Sequence, residues 1–365
     1  MIRYKELLSQ SGKRELHAII TAEDAALPFS AQTEGIWKDF IKLKDKIAPG
    51  LSPVFMRWFL SDAANQASLL PDWGGCAVSV VEQPPLNLTK AALWVWMIED
   101  VKIEKKGDNL FSFGEGRHRH IFSAGNHRPG MDSESASYNM LHSTEHILRQ
   151  EETSLLDACV RTWFFVQNVD VNYAGVVKGR NRAFEELGLT PSTRFIASTG
   201  IGGRNADRTS TVQLDTYSVT GLLEGQMRQI GAPEFLNPTY EYGVAFERAT
   251  SVDYADRRHL FVSGTASIDC FGEVVWSGDI KRQTLRMWEN VEALLRAAEC
   301  GWNDVESIIV YLRDPADHAV VETLFSKCFP DIPYIIVLAP VCRPGWLIEM
   351  ECMAMRPLES GFPKF

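Results

Sequence analysis

Two stretches of this 365-residue chain pass through one order of elements at a constant offset. In the later stretch, His259–Gly264 reads as a strand and Ile280–Ala298 as a helix. Met287, Val291, Leu294 and Ala298 recur there in steps of three and four. Asp279 stands where an N-cap belongs, and Gly301 ends the segment. Strand Val305–Leu312, helix Ala316–Phe329 and two closing strands, Tyr334–Ala339 and Leu347–Ala354, follow. In the earlier stretch the same order falls on His120–Gly125, Ala136–Arg149, Cys159–Val166, Val176–Leu187, Arg194–Ser198 and Val212–Val219. Ser123 and Ser263 are 140 residues apart, and so are Arg194 and Tyr334. Such a duplication predicts an α+β chain of two tandem units, each a β-sheet with two helices packed on one face.

The segment before residue 120 is rich in strand patterns, at His17–Thr21, Val54–Leu60, Ala77–Val81 and Ala91–Glu99. These strands are expected to complete the first sheet. Gly221–Pro238 has the composition of a linker, and Tyr240–Thr250 then opens the second unit. The expected division is 1–228 and 229–365.

Hydrophobic residues make up 45% of the chain and charged residues 23%, the mix of a globular protein. Apolar runs such as Ala91–Ile98 fall far short of the roughly 20 residues a membrane span needs. Arg3, Lys5 and Glu6 open the chain without an apolar stretch behind them, so no secretory leader is expected. A net charge of −10 repels phosphate backbones, which argues against nucleic acid as a partner. Seven cysteines without CxxC spacing fit reduced thiols of a cytoplasmic protein.

The last strand carries the clearest chemical signal. Ile348, Met350, Cys352 and Ala354 alternate with Leu347, Glu349, Glu351 and Met353. The apolar set faces the helices, so both carboxylates lie on the opposite face. That face is expected to meet another subunit or the other repeat, with a cavity between. Two carboxylates roughly 7 Å apart on a half-buried face repel each other, and burial disfavours charge. One of them then keeps its proton near neutrality and can donate it. The matching strand of the first repeat offers Gln213 and Asp215 there, so the second repeat is the chemical one.

The stretch from Phe261 to Ala354 resembles the Rid/YjgF family, also called L-PSP endoribonucleases. The resemblance lies in SGTAS (Ser263–Ser267), the stretch Gly278–Val305, YLRD (Tyr311–Asp314) and LIEMECMA (Leu347–Ala354). It implies a chorismate-mutase-like fold and a homotrimer with ligand sites in clefts between subunits. Arg161-Thr162-Trp163, Gly179-Arg180, STGIGG (Ser198–Gly203) and VCRPGWLIEME (Val341–Glu351) further resemble the two-domain chorismatases. These remove the enolpyruvyl group of chorismate and need neither metal nor organic cofactor.

The resemblance implies that Glu349 is the general acid. Arg343 and Cys342 would line the pocket of a small carboxylate, and Gly264, Thr265 and Ala266 would form its floor. Glu351 and Arg248 are expected at the substrate. So is Tyr334, which stands where the enamine-hydrolysing Rid proteins carry an arginine. Two other readings stay open, a Rid-type enamine or imine hydrolase and a non-catalytic carboxylate-binding protein.

Four further patterns read as structural. His142-Ser143-Thr144-Glu145-His146 has the spacing of a zinc helix, yet falls on a solvated helix face. Arg117-His118-Arg119-His120 reads as an exposed sheet edge kept soluble by charge. Gly200–Gly203 lacks a following helix and reads as a loop near the domain interface. Trp94 and Trp96 read as core.

Overall fold

The computed structural model describes residues 1–114 and 116–365, the side chain of residue 242 excepted. The described residues form three sheets, with helices packed on them. The two expected repeats form the second and third, each with two long helices: Ser133–Gln150 and Val169–Glu186, then Ile280–Ala297 and His318–Cys328. The early strands do not complete the first of these sheets. They form a five-stranded sheet of their own, in the order Ile2–Leu8, Arg14–Thr21, Ala91–Glu99, Leu51–Leu60, Ala77–Glu82.

That order is the same design a third time. In each sheet the last strand lies beside an early strand, and the far edge is a parallel pair. The pairs are Leu51–Leu60 with Ala77–Glu82, Cys159–Val166 with Ala197–Gly202, and Val305–Leu312 with Tyr334–Leu338. A parallel pair requires a crossover, and the crossing segment carries a helix in every case except the short turn Ala63–Gln66 of the first sheet. The first sheet is covered instead by helix Phe29–Lys42, which the sequence reading left unassigned. Its buried face includes Gln32 and Thr33, which break the apolar period.

The sheets meet through aromatic side chains. Phe55 of the first sheet stacks on Trp163 of the second at 6.0 Å, and Trp96 packs edge-on against Tyr217 at 5.6 Å. Tyr217 in turn lies 5.4 Å from Phe261 of the third sheet. Such ring pairs add about 0.5–1.5 kcal/mol each beyond the area they bury. Trp94 and Trp96 are core, as read from the sequence.

Three local readings change. Arg117–His120 is no exposed edge, because His118 and His120 are buried and His120 shares a hydrogen bond of 2.7 Å with the Tyr217 hydroxyl. Gly200 to Gly202 form the end of strand Ala197–Gly202 and not a loop. A Cβ at Gly202 would sit 2.7 Å from Pro340, so the close approach of the third unit selects glycine. Tyr240–Thr250, expected to open the second unit, overlaps a short helical turn, Thr239–Tyr242, and the start of strand Ala249–Asp253, while strand Met227–Ile230 already belongs to the third sheet.

Candidate functional site

Strand Ile348–Pro357 lies between Arg257–Ala266 and Val305–Leu312, and Glu349 is opposite Ala266 on one side and Tyr311 on the other. Glu349 and Glu351 are 5% and 4% exposed, because their face of the sheet packs on the second unit. The partner of the acidic face is thus the other repeat of the same chain.

A cavity opens at this junction. It is narrow: the space in which the centre of a water-sized sphere can sit is about 50 Å³. Helix Val169–Glu186 supplies Tyr173 and Arg180, and strand Ala197–Gly202 supplies Ser198 and Gly200. The third unit supplies Gly264, Ala266, Cys342, Arg343 and Glu349. Phe246 and Arg248 close one side, and Trp346 adds an aromatic wall.

Glu349 reaches the cavity over Gly264. A Cβ at position 264 would fall 2.2 Å from Oε1 of Glu349, so only glycine leaves the carboxyl its place. The Gly264 amide donates to Oγ1 of Thr199 at 2.9 Å, which fixes the floor to the second sheet. Burial, reinforced by the nearby Glu351 charge, pushes the Glu349 carboxyl up to about 8, against the opposing pull of Arg161 and Arg248. Glu349 therefore carries its proton at neutral pH.

Three arginines share the cavity with this acid. Arg180 is 1% exposed, and its Nε and Nη2 have no hydrogen-bond partner among the described residues. It lies near the rings of Phe246 and Phe164, at 5.8 and 6.0 Å. A guanidinium buried without acceptors is costly, and an anionic ligand is what offsets that cost. Arg248 donates to the Asn237 carbonyl oxygen at 2.9 Å, and Arg343 donates to that of Gly272 at 3.1 Å. Arg343 also stacks on Trp346 at 4.8 Å. Enclosure pushes the Cys342 thiol up to about 12, which suits a wall and not a nucleophile.

Comparison with known proteins gives this geometry a family. Residues 248–356 match the model described as Endoribonuclease L-PSP. A RutC family protein of Pyrococcus abyssi is 40% identical over 100 residues, which cover 27% of this chain and 78% of that protein. The chain belongs to the Rid/YjgF family.

A second relative, 3-aminoacrylate deaminase RutC of Acinetobacter baylyi, is 30% identical over 98 residues, covering 26% of this Rid-family chain and 77% of its own length. The family match stops at the third sheet, and solved structures reach further. The crystal structure of a chorismatase superposes with a TM-score of 0.66 at 20% identity, covering 85% of this chain and 95% of that one. At that identity the likeness is one of fold.

The Rid-family chain does not bring every expected residue to the cavity. Glu349, Arg343, Cys342, Gly264, Ala266 and Arg248 line it. Thr265 points away, its hydroxyl bonded to the Ser263 carbonyl at 2.9 Å. Tyr334 lies at the junction of the third and first sheets, donating to Glu322 at 2.8 Å beneath Arg3 at 4.1 Å. The cavity belongs to the preceding parallel edge, where Ser198 holds the matching register. Glu351 lies behind the cavity, paired with Arg161 at 2.8 Å. Arg180, part of the Gly179-Arg180 pair that resembles the chorismatases, lines the cavity too, while Tyr173 and Phe246 line it without a sequence signal.

The zinc-like helix holds no metal set among the described residues. Glu145 instead caps the turn beginning at Leu155, accepting from its amide at 2.6 Å. Among the described residues, no helix is long and apolar enough to cross a membrane.

Proposed function

We propose that this chain cleaves the enolpyruvyl ether of chorismate, or of a close analogue with the same two carboxylates, by general-acid catalysis. One observation carries the reading. A single cavity holds a glutamic acid that keeps its proton to about pH 8 and a buried guanidinium, Arg180, whose Nε and Nη2 have no hydrogen-bond partner among the described residues. Proton donor and anion anchor are what an anionic enol ether requires.

In the reaction, Glu349 gives its proton to the methylene carbon of the enolpyruvyl group. The double-bond electrons form the new C–H bond, and the ether carbon becomes an oxocarbenium centre. Water adds to that carbon, and one of its protons returns to Glu349. The resulting hemiketal collapses by breaking the bond to the ring oxygen, releasing pyruvate and a ring alcohol. Arg180 and Arg343 hold the carboxylates, and Tyr173, Phe246 and Trp346 wall the ring. The cavity at Tyr334, between the first and third sheets, has Arg3 stacked on the Tyr334 ring and the Tyr334 hydroxyl bonded to Glu322, and a tyrosine in the place of the substrate-holding arginine weakens the enamine-hydrolase reading.

The test is incubation of the purified chain with chorismate while pyruvate is followed. One pyruvate per chorismate consumed supports the reading. Turnover of 3-aminoacrylate-type enamines with chorismate untouched would replace it by the deaminase reading, and neither reaction would leave a carboxylate-binding protein.

A further inference from the structure

The cavity leaves one buried device unexplained. Glu351 lies on the strand of Glu349, two residues on and on the same face, yet it lines no part of the cavity. Its oxygens are taken by groups from the second sheet. Arg161 donates to Oε2 at 2.8 Å, Thr199 donates to the same oxygen at 2.5 Å, and Trp163 donates to Oε1 at 2.8 Å. Arg57 of the first sheet stands 3.9 Å from Oε1.

Arg57 extends the arrangement. Its side chain is fully buried, and its Nη2 donates to Asp215 at 3.0 Å. The rings of Trp163, Phe165, Phe55 and Trp94 surround it at 4.8 to 5.3 Å. Asp215, Arg57, Glu351 and Arg161 thus alternate in sign along one buried row that joins all three sheets. Such a row is no bargain for stability, because apolar side chains of similar volume usually do as well or better. Another function has to account for it.

The geometry points to Glu351 as a positioning residue for Glu349, a carboxylate fixed by the three sheets that determines which proton form of its neighbour faces the cavity. The two anions and two cations of the row already balance. A charge on Glu349 would be an added anion on a side chain only 5% exposed. The groups that face Glu349 from other elements are Arg161, Tyr311, Arg248 and, across the cavity, Arg180 with Cys342 and Arg343. The cations among them favour an ionised Glu349; burial opposes them first, and the Glu351 charge is the one neighbouring group that adds to that opposition. Thr199 completes the link, since its hydroxyl accepts from Gly264 under Glu349 and donates to Glu351 behind it.

This inference deepens the proposed reaction and rests on Glu349 being its acid, but its test reads the carboxyl directly. Infrared difference spectra between the chain and its Glu349→Gln variant isolate the protonated carboxyl band of Glu349. The band should fade as pH rises through about 8. In Glu351→Gln its midpoint should fall by at least about one pH unit, a tenfold loss of proton affinity. Glu351→Asp, which keeps the charge, should restore most of the shift. If Glu351→Gln fails to fold, the double variant Glu351→Gln with Arg57→Met removes one charge of each sign, and the same fall is expected. An unmoved midpoint in a folded variant overturns the inference, as does absence of the band at neutral pH or failure of both variants to fold. A shifted band without pyruvate release would sink the proposed reaction and leave this inference standing.

Discussion

Nη2 of Arg161 lies 2.8 Å from Oε2 of Glu351, tying the second sheet to the third where both side chains are hidden from water. Removing the cation leaves the carboxylate buried without its charged partner. Arg161→Met should therefore cost about 3–5 kcal/mol of folding stability. Urea denaturation of the variant against the parent chain checks this, and a loss below about 1 kcal/mol would mean that the junction admits water.

Arg180 predicts the opposite balance. It is buried, has unmet donors and faces the cavity. Arg180→Met should leave thermal stability unchanged or higher, because it removes a desolvated charge. Binding of an anionic ligand should fall about 100-fold, the worth of a charge-assisted hydrogen bond or two. Calorimetric titration with chorismate, alongside a melting curve, reads both quantities.

Gly264 separates the cavity floor from the fold. In Gly264→Ala the new methyl would stand 2.2 Å from Oε1 of Glu349 and 3.1 Å from the Thr199 side chain. The carboxyl end can swing aside, so stability should drop by only about 1–3 kcal/mol. Displacing the acid should reduce turnover at least about 100-fold, the contribution of a positioned proton donor. Parallel melting and rate measurements distinguish this from general unfolding.

The proton on Glu349 links activity and stability to pH. Its folded value is about 8 against an ordinary 4.5, so the folded chain binds the proton more tightly than the unfolded one. The stability associated with this proton is fully present below pH 4.5 and is lost as pH rises toward 8, by about 1.4 kcal/mol per unit. Turnover, which uses the protonated form, should fall above about pH 8. Denaturation of the parent and of Glu349→Gln from pH 5 to 9 should show the parent losing ground between 5 and 8.

The sequence carried the acid because alternation in strand Ile348–Pro357 separates Glu349 and Glu351 from an apolar face, whatever the fold around them. The second and third sheets were legible for a similar reason, since their helices hold an apolar period. Helix Phe29–Lys42 was hidden by Gln32, whose side chain is buried but bonded to the carbonyls of Ala25 and Leu27. A buried amide looks polar in a sequence. His120 misled in the same way, being held by Tyr217 and stacked on Phe113 at 4.7 Å. Arg57 did leave a signal, a lone cation in the apolar run Val54–Leu60. Arg180 belongs to the Gly179-Arg180 pair that resembles the chorismatases, but its burial depends on how the units meet, which a single sequence position does not show.

The central claim is that Glu349 delivers a proton to an enol ether held beside it. The most direct measurement is pyruvate release from chorismate by the parent chain and by Glu349→Gln at pH 7. The account predicts stoichiometric pyruvate from the parent and at least a hundredfold slower release from a folded variant. Equal rates from the two, or no pyruvate from a folded parent chain that binds chorismate, would contradict it.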